Sequence, residues 1–132
     1  SMMWMMTCEK SGSSVVLIDD ERTFADTLAK RLSMRGIECT VAYDGRTGLA
    51  IVESTSLTGV VLDLRLPDLH GKEVLRRIMQ LQPGLPVVIL TGHGTDDDER
   101  ECMKNGATAF LHKPVDLGRL VGLLTQNGPS KP

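Results

Sequence analysis

Four apolar runs in this 132-residue chain stop at side chains able to do chemistry. Val15-Val16-Leu17-Ile18 stops at Asp19-Asp20, and Val60-Val61-Leu62 stops at Asp63. Val87-Val88-Ile89-Leu90 runs into Thr91, and Ala109-Phe110-Leu111 leads through His112 to Lys113. Three carboxylates in one place repel one another, and at least one pKa must rise unless a cation intervenes. A hard divalent ion such as Mg²⁺ takes one or two carboxylates, waters and a phosphate oxygen, which is what such a cluster offers. An Asp carboxylate is also the acceptor in aspartyl-phosphate chemistry. Asp63 is the candidate nucleophile, with Lys113 to balance phosphate charge and the Thr91 hydroxyl to donate a hydrogen bond.

Each of these residues also has a local explanation. Asp19 and Asp20 could cap the helix that follows them, since Asp is a favoured N-cap. Lys113 could be a solvated lysine, Pro114 an ordinary residue ahead of a helix, and Thr91 a simple strand end. Such explanations suffice one at a time. They do not explain why four successive strand ends share the pattern.

The elements that must position these groups are legible as an alternation. After the first run, Phe24, Leu28 and Leu32 recur at helical spacing, and Gly36 stops the stripe. Ile37, Cys39 and Val41 alternate with Glu38 and Thr40, as on a half-exposed edge strand. A weaker helix is expected from about Gly45 to Glu53. Val74, Leu75, Ile78 and Leu81 form the next stripe, closed by Pro83-Gly84. TDDDER opens a further short helix with acids in its first turn, where the helix dipole favours them, and Asn105-Gly106 ends it. Leu117, Leu120, Val121 and Leu124 make a last amphipathic helix. Near-continuous apolar strands alternating with helices predict a parallel sheet covered on both faces. A single edge-like second strand points to the order 2-1-3-4-5, a flavodoxin-like α/β doubly wound sheet of five strands with five helices. In that order Asp19 and Asp20 are one strand from Asp63, about 4.8 Å, and Lys113 is two strands off. Binding crevices of such sheets lie at the carboxyl ends of the strands.

Composition narrows the rest. The length suits one domain, and 41% apolar with 24% charged residues is an ordinary globular balance. A net charge of −2 without a basic block, and only 3% aromatics, argue against nucleic-acid binding by this segment. Cys8, Cys39 and Cys102 have no metal-ligand or disulfide-framework spacing and read as reduced thiols of a cytoplasmic protein. His70, His93 and His112 share no ligand spacing and read as surface or loop residues. SMMWMMT is too short for a membrane span and lacks the basic start of a signal peptide. Ser1 ahead of Met2 reads as an appended residue. Residues 1–13 are therefore expected to be a disordered or appended segment, 14–126 the domain, and 127–132 a tail or the start of a linker.

The ordered set VLIDDE, VVLDLRLPDLHG, VVILTGHG and FLHKP, each closing a strand, resembles the receiver domain of response regulators from two-component signalling. The likeness runs from about Ser14 to Gln126. It implies that a histidine kinase phosphorylates Asp63 in a Mg²⁺-dependent reaction. It further implies that Asp20 ligates the metal directly, Asp19 mainly through water, and Arg65 through its main-chain carbonyl. Thr91 and Phe110 match the family's switch pair, in which the hydroxyl moves toward the phosphoryl group and the ring rotates inward. Pro114 matches a proline preceded by a cis peptide bond, the Gly92 N–H a phosphate contact, and Pro67 and Gly71 the loop after the acceptor. Arg65 and His93 also hold positions where the family tunes phosphoryl lifetime. The output surface implied is that of the fourth helix, fifth strand and fifth helix, which is also a possible homodimer face, with an effector domain of unknown kind beyond it. Such a domain is a phosphoacceptor switch that assists its own phosphorylation and autodephosphorylation, rather than an enzyme acting on other substrates. A phosphohydrolase of the haloacid-dehalogenase type also uses an Asp after an apolar strand. It needs a second Asp two positions on, where this chain has Arg65, and a cap domain for which there is little length. A flavodoxin-like cofactor binder would need a Ser/Thr-rich phosphate-cradling loop after the first strand, which is missing.

Overall fold

A computed structural model describes residues 12–125. Trp4, Cys8 and the tail over 127–132 lie outside the described residues, as does the expected N-terminal segment up to residue 11. Gly12 and Ser13 are described, and Ser13 already pairs with Ile37 in the sheet.

Strands and helices alternate strictly: β1 (Ser13–Ile18), α1 (Arg22–Ser33), β2 (Ile37–Ala42), α2 (Gly45–Ser54), β3 (Gly59–Leu62), α3 (Gly71–Leu81), β4 (Val87–Thr91), α4 (Asp96–Lys104), β5 (Ala109–His112) and α5 (Leu117–Thr125). All strand pairs are parallel, in the order β2-β1-β3-β4-β5, as the alternation predicts. β3 and β4 are buried throughout, because helices cover both faces of the sheet. β2, on the edge, keeps its two ends buried and leaves Glu38 and Thr40 exposed.

The two-residue period of the strands divides the core into two layers. Val16, Ile18, Val60, Leu62, Val87, Ile89 and Phe110 face α2, α3 and α4, where Val52, Val74, Leu75, Ile78 and Cys102 meet them. Val15, Leu17, Val61, Val88, Leu90 and Leu111 face α1 and α5, against Ala25, Leu28, Leu32, Leu120 and Leu124. The α3 stripe is narrower than its spacing suggests: Leu81, at the last turn, is 43% exposed. Burial pushes the Cys39 thiol up to about 12 and the Cys102 thiol up to about 11, so both stay protonated at neutral pH.

α4 is anchored differently from its neighbours. Thr95 and Asp98 form a reciprocal capping box at its start, and Cys102 is its one buried residue. Its remaining attachment to α3 is ionic: Lys72 Nζ lies 2.6 Å from Asp98 and 2.9 Å from Glu101. The hydrogen bonds to Lys72, together with the capping N–H of Thr95, hold the Asp98 carboxyl down at about 2. Gly106, with φ +106°, then turns the chain back toward β5 in a conformation other residues rarely adopt.

The loop between β3 and α3 is closed by a tight backbone approach. Gly71 N–H donates to Leu64 O at 2.8 Å. A Cβ on Gly71 would sit 2.5 Å from both Asp63 O and Leu64 Cα, neither of which can move aside cheaply. Gly71→Ala should therefore lower the unfolding free energy by about 1–3 kcal/mol in urea titration. Gly84→Ala, where a Cβ meets nothing within 4 Å, should change it by less than about 0.5 kcal/mol.

Candidate functional site

The sheet ladder continues past the strand ends and fixes the residues that follow. Ile18 pairs with Leu62, and Asp63 N–H donates to Ile18 O at 3.0 Å, so Asp19 and Asp63 leave β1 and β3 side by side. Asp19 N–H is itself bound to Ala42 O at 2.9 Å. On the other flank Thr91 pairs with His112, and Lys113 N–H donates to Thr91 O at 3.0 Å. The carboxyl edge of the sheet thus brings Asp19, Asp20, Asp63 and Lys113 together. One oxygen from each of Asp19, Asp20 and Asp63 lies within 4.8 Å of the others, the only such acidic, Cys or His group among the described residues. None of the three histidines belongs to it.

Neither aspartate of the pair caps α1. The N-cap is Glu21, whose side chain makes no capping bond. Asp19 is turned inward, 1% exposed; its Oδ1 accepts from Glu21 N–H at 2.9 Å. Its Oδ2 lies 2.9 Å from Lys113 Nζ, but off the line a hydrogen bond requires, and is otherwise unpartnered. Burial is the main reason the Asp19 carboxyl is pushed up; Asp63 adds repulsion, and Lys113 and the Glu21 N–H offset only part of it. Asp63 is 3% exposed, with Lys113 Nζ 3.4 Å from Oδ2. Asp20 is exposed, which leaves it open to water and ions. Lys113 works against burial, yet Glu21 and Asp19 raise its pKa and hold it cationic. The Lys113–Pro114 bond is cis, as the resemblance implies.

Thr91 is fully buried, and its hydroxyl accepts from His93 N–H at 3.3 Å. Phe110 pairs with Ile89, so its ring lies on the α3–α4 side of the sheet, the side to which Thr91 also belongs by strand parity. The ring is 8% exposed, already packed inward. A Cβ on Gly94 would lie 2.5 Å from Phe110 Cζ and 3.0 Å from Thr91 Cγ2. Gly94 is the residue that lets the Thr91 methyl and the Phe110 ring share this space, a packing role that its place in the VVILTGHG stretch does not itself reveal. His112 sits edge-on to Phe110 with centroids 5.4 Å apart, and His70 caps α3 through Nδ1, which accepts from Lys72 N–H at 3.1 Å.

Two further groups escape sequence reasoning because their partners are distant in the chain. Asp68 reaches the start of α2, accepting from Gly45 N–H at 2.8 Å and Arg46 N–H at 2.9 Å, and so ties down the loop that follows Asp63. Burial alone would raise its carboxyl, but these amides together hold it below the usual range. Glu21 lies 2.5 Å from Lys113 Nζ, which also sits over the Phe24 ring at 4.3 Å. The loop after β3 and the start of α4 border an open cleft of about 520 Å³, lined in part by Arg65, Asp68, His70, His93 and Asp98.

Residues 15–125 match the family model for the response regulator receiver domain, and the chain belongs to that family. It is 34% identical over 122 residues to the photosynthetic apparatus regulatory protein RegA of Rhodobacter capsulatus, covering 92% of this chain and 66% of that protein. It is 36% identical to the transcriptional regulatory protein FixJ of Bradyrhizobium diazoefficiens, covering 83% of this chain and 54% of FixJ. The chain thus spans only part of these relatives. Among solved structures it is similar to a response regulator receiver domain from Clostridium thermocellum, with TM-score 0.82 and 33% identity over 87% of this chain and 93% of the other. A Burkholderia pseudomallei response regulator solved with a phosphorylated aspartic acid and a calcium ion has TM-score 0.81 and 27% identity, covering 87% and 68%. The protein is a receiver domain of a response regulator in two-component signalling.

The raised Asp19 carboxyl has a consequence for stability. Its folded pKa lies above its ordinary value of 3.8, so the folded state keeps a proton that the unfolded chain has lost. Stability from this group is greatest below that value and falls as pH rises through the folded pKa. Asp19→Asn should therefore raise the Tm of chelator-treated protein at neutral pH and flatten its decline as pH rises from about 4 toward neutrality. Thermal melts across that range test it; a lower Tm for the variant at neutral pH would refute it.

Proposed function

We propose that the domain accepts a phosphoryl group from a histidine kinase on Asp63 and uses it to switch its α4-β5-α5 surface. The observation that carries this reading is the convergence of three aspartates and Lys113 at one end of the sheet, within a chain that belongs to the receiver family. That a related response regulator is solved with a phosphorylated aspartic acid and a calcium ion supports it.

In the transfer, an Asp63 oxygen forms a bond to phosphorus as the P–N bond of the donor phosphohistidine breaks, and the imidazole leaves with the bonding pair and gains a proton. Lys113 balances the charge gathering on the phosphoryl oxygens. The Gly92 N–H and the Thr91 hydroxyl are the donors that complete the cradle. The clustered carboxylates, with Asp19 Oδ2 ion-paired to Lys113 but lacking a directed hydrogen bond, fit a hard divalent cation. Asp20, exposed, would ligate directly; Asp19, engaged by Glu21 N–H and Lys113, would act mainly through water; Asp63 and the Arg65 carbonyl would complete the protein's share. Bound there, Mg²⁺ supplies charge neutralisation for the approaching phosphate. Autodephosphorylation would reverse the state, with Arg65 and His93 at the mouth placed to influence its rate. The receiver has no second Asp at position 65 for the general acid of a haloacid-dehalogenase phosphohydrolase, so a switch suits the site better than an enzyme. A cognate kinase, an effector beyond this domain, a possible homodimer through α4-β5-α5 and a cytoplasmic setting follow from the same reading. No helix among the described residues is long and apolar enough to cross a membrane.

The switch would work through Thr91. At rest its hydroxyl accepts from His93 N–H; a phosphoryl group carrying about −2 charge offers it an acceptor instead. Because Phe110 is already inside, moving Thr91 changes the packing around the ring at Gly94 rather than filling an open cavity. α4, held by Cys102 and the Lys72 bridges, is the element least resistant to such a change.

With Mg²⁺ and a small acyl phosphate, the protein should gain one phosphoryl adduct by intact mass, and Asp63→Asn should lose it. An undiminished adduct in that variant would place the acceptor elsewhere. Thr91→Ala should still be phosphorylated yet uncoupled from the output face. Amide shifts of residues 92 to 112 with and without beryllofluoride test this, and wild-type-like changes in the variant would sink the proposed coupling.

A further inference from the structure

Lys113 has more acceptors than the phosphoacceptor reading needs. Its ammonium offers three donors and faces Glu21 Oε1 at 2.5 Å, Asp19 Oδ2 at 2.9 Å and Asp63 Oδ2 at 3.4 Å. Asp63, the proposed acceptor, is the most distant of the three. The first turn of α1 holds the lysine from two directions, with the Glu21 carboxylate on one side and the Phe24 ring 4.3 Å away on another.

These partners differ in what happens to them during the reaction. Asp19 belongs to the metal cluster, and Asp63 gives up its charge to the phosphoryl bond. Glu21 does neither. It is 57% exposed, outside the carboxylate cluster, and its ionised form is favoured chiefly by its hydrogen bond to Lys113. A phosphoryl group arriving at Asp63 and the Glu21 carboxylate therefore draw on the same ammonium, from the sheet side and from the α1 side.

Resting on the reading of Asp63 as acceptor, we infer that Glu21 is a positioning residue that competes with the phosphoryl group for Lys113. It holds the lysine toward α1 at rest and so sets how readily the phosphorylated state forms. The Glu21 side chain makes no capping bond to α1, so it can be changed without removing a helix cap. Its backbone N–H, which binds Asp19, stays in place.

The test compares wild type, Glu21→Gln and Asp97→Asn in the intact chain. Asp97, in the first turn of α4 after β4, is exposed and paired with Arg100, and controls for loss of one negative charge at the same end of the sheet. The phosphorylation rate with acetyl phosphate and the affinity for beryllofluoride are measured in Mg²⁺. Glu21→Gln should raise both by about two- to fivefold, the scale of one partly exposed ion pair, and Asp97→Asn should change neither. No gain in Glu21→Gln, or an equal gain in Asp97→Asn, overturns the inference while leaving Asp63 as acceptor. A wild type that gains no phosphoryl group overturns that reading, and this inference with it.

Discussion

One ammonium among several carboxylates is the constraint on which the carboxyl end of this sheet depends. The fold carries Asp19 and Asp63 out of neighbouring strands into a nearly water-free position, where burial and then repulsion from Asp63 push the Asp19 carboxyl up. Lys113 makes the arrangement tolerable without making it comfortable: the Asp19 carboxyl is still raised, and its Oδ2 lacks a directed hydrogen bond. Stability is given up there, as is common where a fold must hold reactive groups close together.

The two-layer core connects that site to the surface. Strand parity puts Ile89, Thr91 and Phe110 on the α3–α4 side, so whatever alters Thr91 is felt in the layer that carries α4. The opposite layer packs Leu28, Leu32, Leu120 and Leu124 against Val15, Leu17, Val61 and Leu90. One buried cysteine, a capping box and two ion pairs to Lys72 seat α4.

Loops on the same end are pinned by long-range bonds rather than by their own turn chemistry. Asp68 fastens the segment after Asp63 to the first amides of α2, and Gly71 lets that segment close against Leu64. Asp63 is thereby held between a buried strand and a tethered loop, which fixes its position at the edge of the sheet.

Much of this was determined by the sequence alone. Apolar runs of strand length, helical stripes between them and an alternating second strand dictate the parallel order β2-β1-β3-β4-β5, because burial on both faces leaves few other ways to hide them. The same pattern sends Asp19, Asp20, Asp63 and Lys113 to one edge. Only the tertiary structure decided what each does there. A two-residue period cannot tell which aspartate of the DD pair turns inward, and Asp19 is the buried one. It cannot reveal that Leu81 falls outside the core, that Phe110 is already packed against the space kept by Gly94, or that Asp68 binds amides 22 and 23 residues away. Nor does it show Glu21 reaching Lys113 across 92 residues. Periodicity is a property of neighbours along the chain, whereas charge pairing and close packing depend on which distant segments the closed sheet brings into contact.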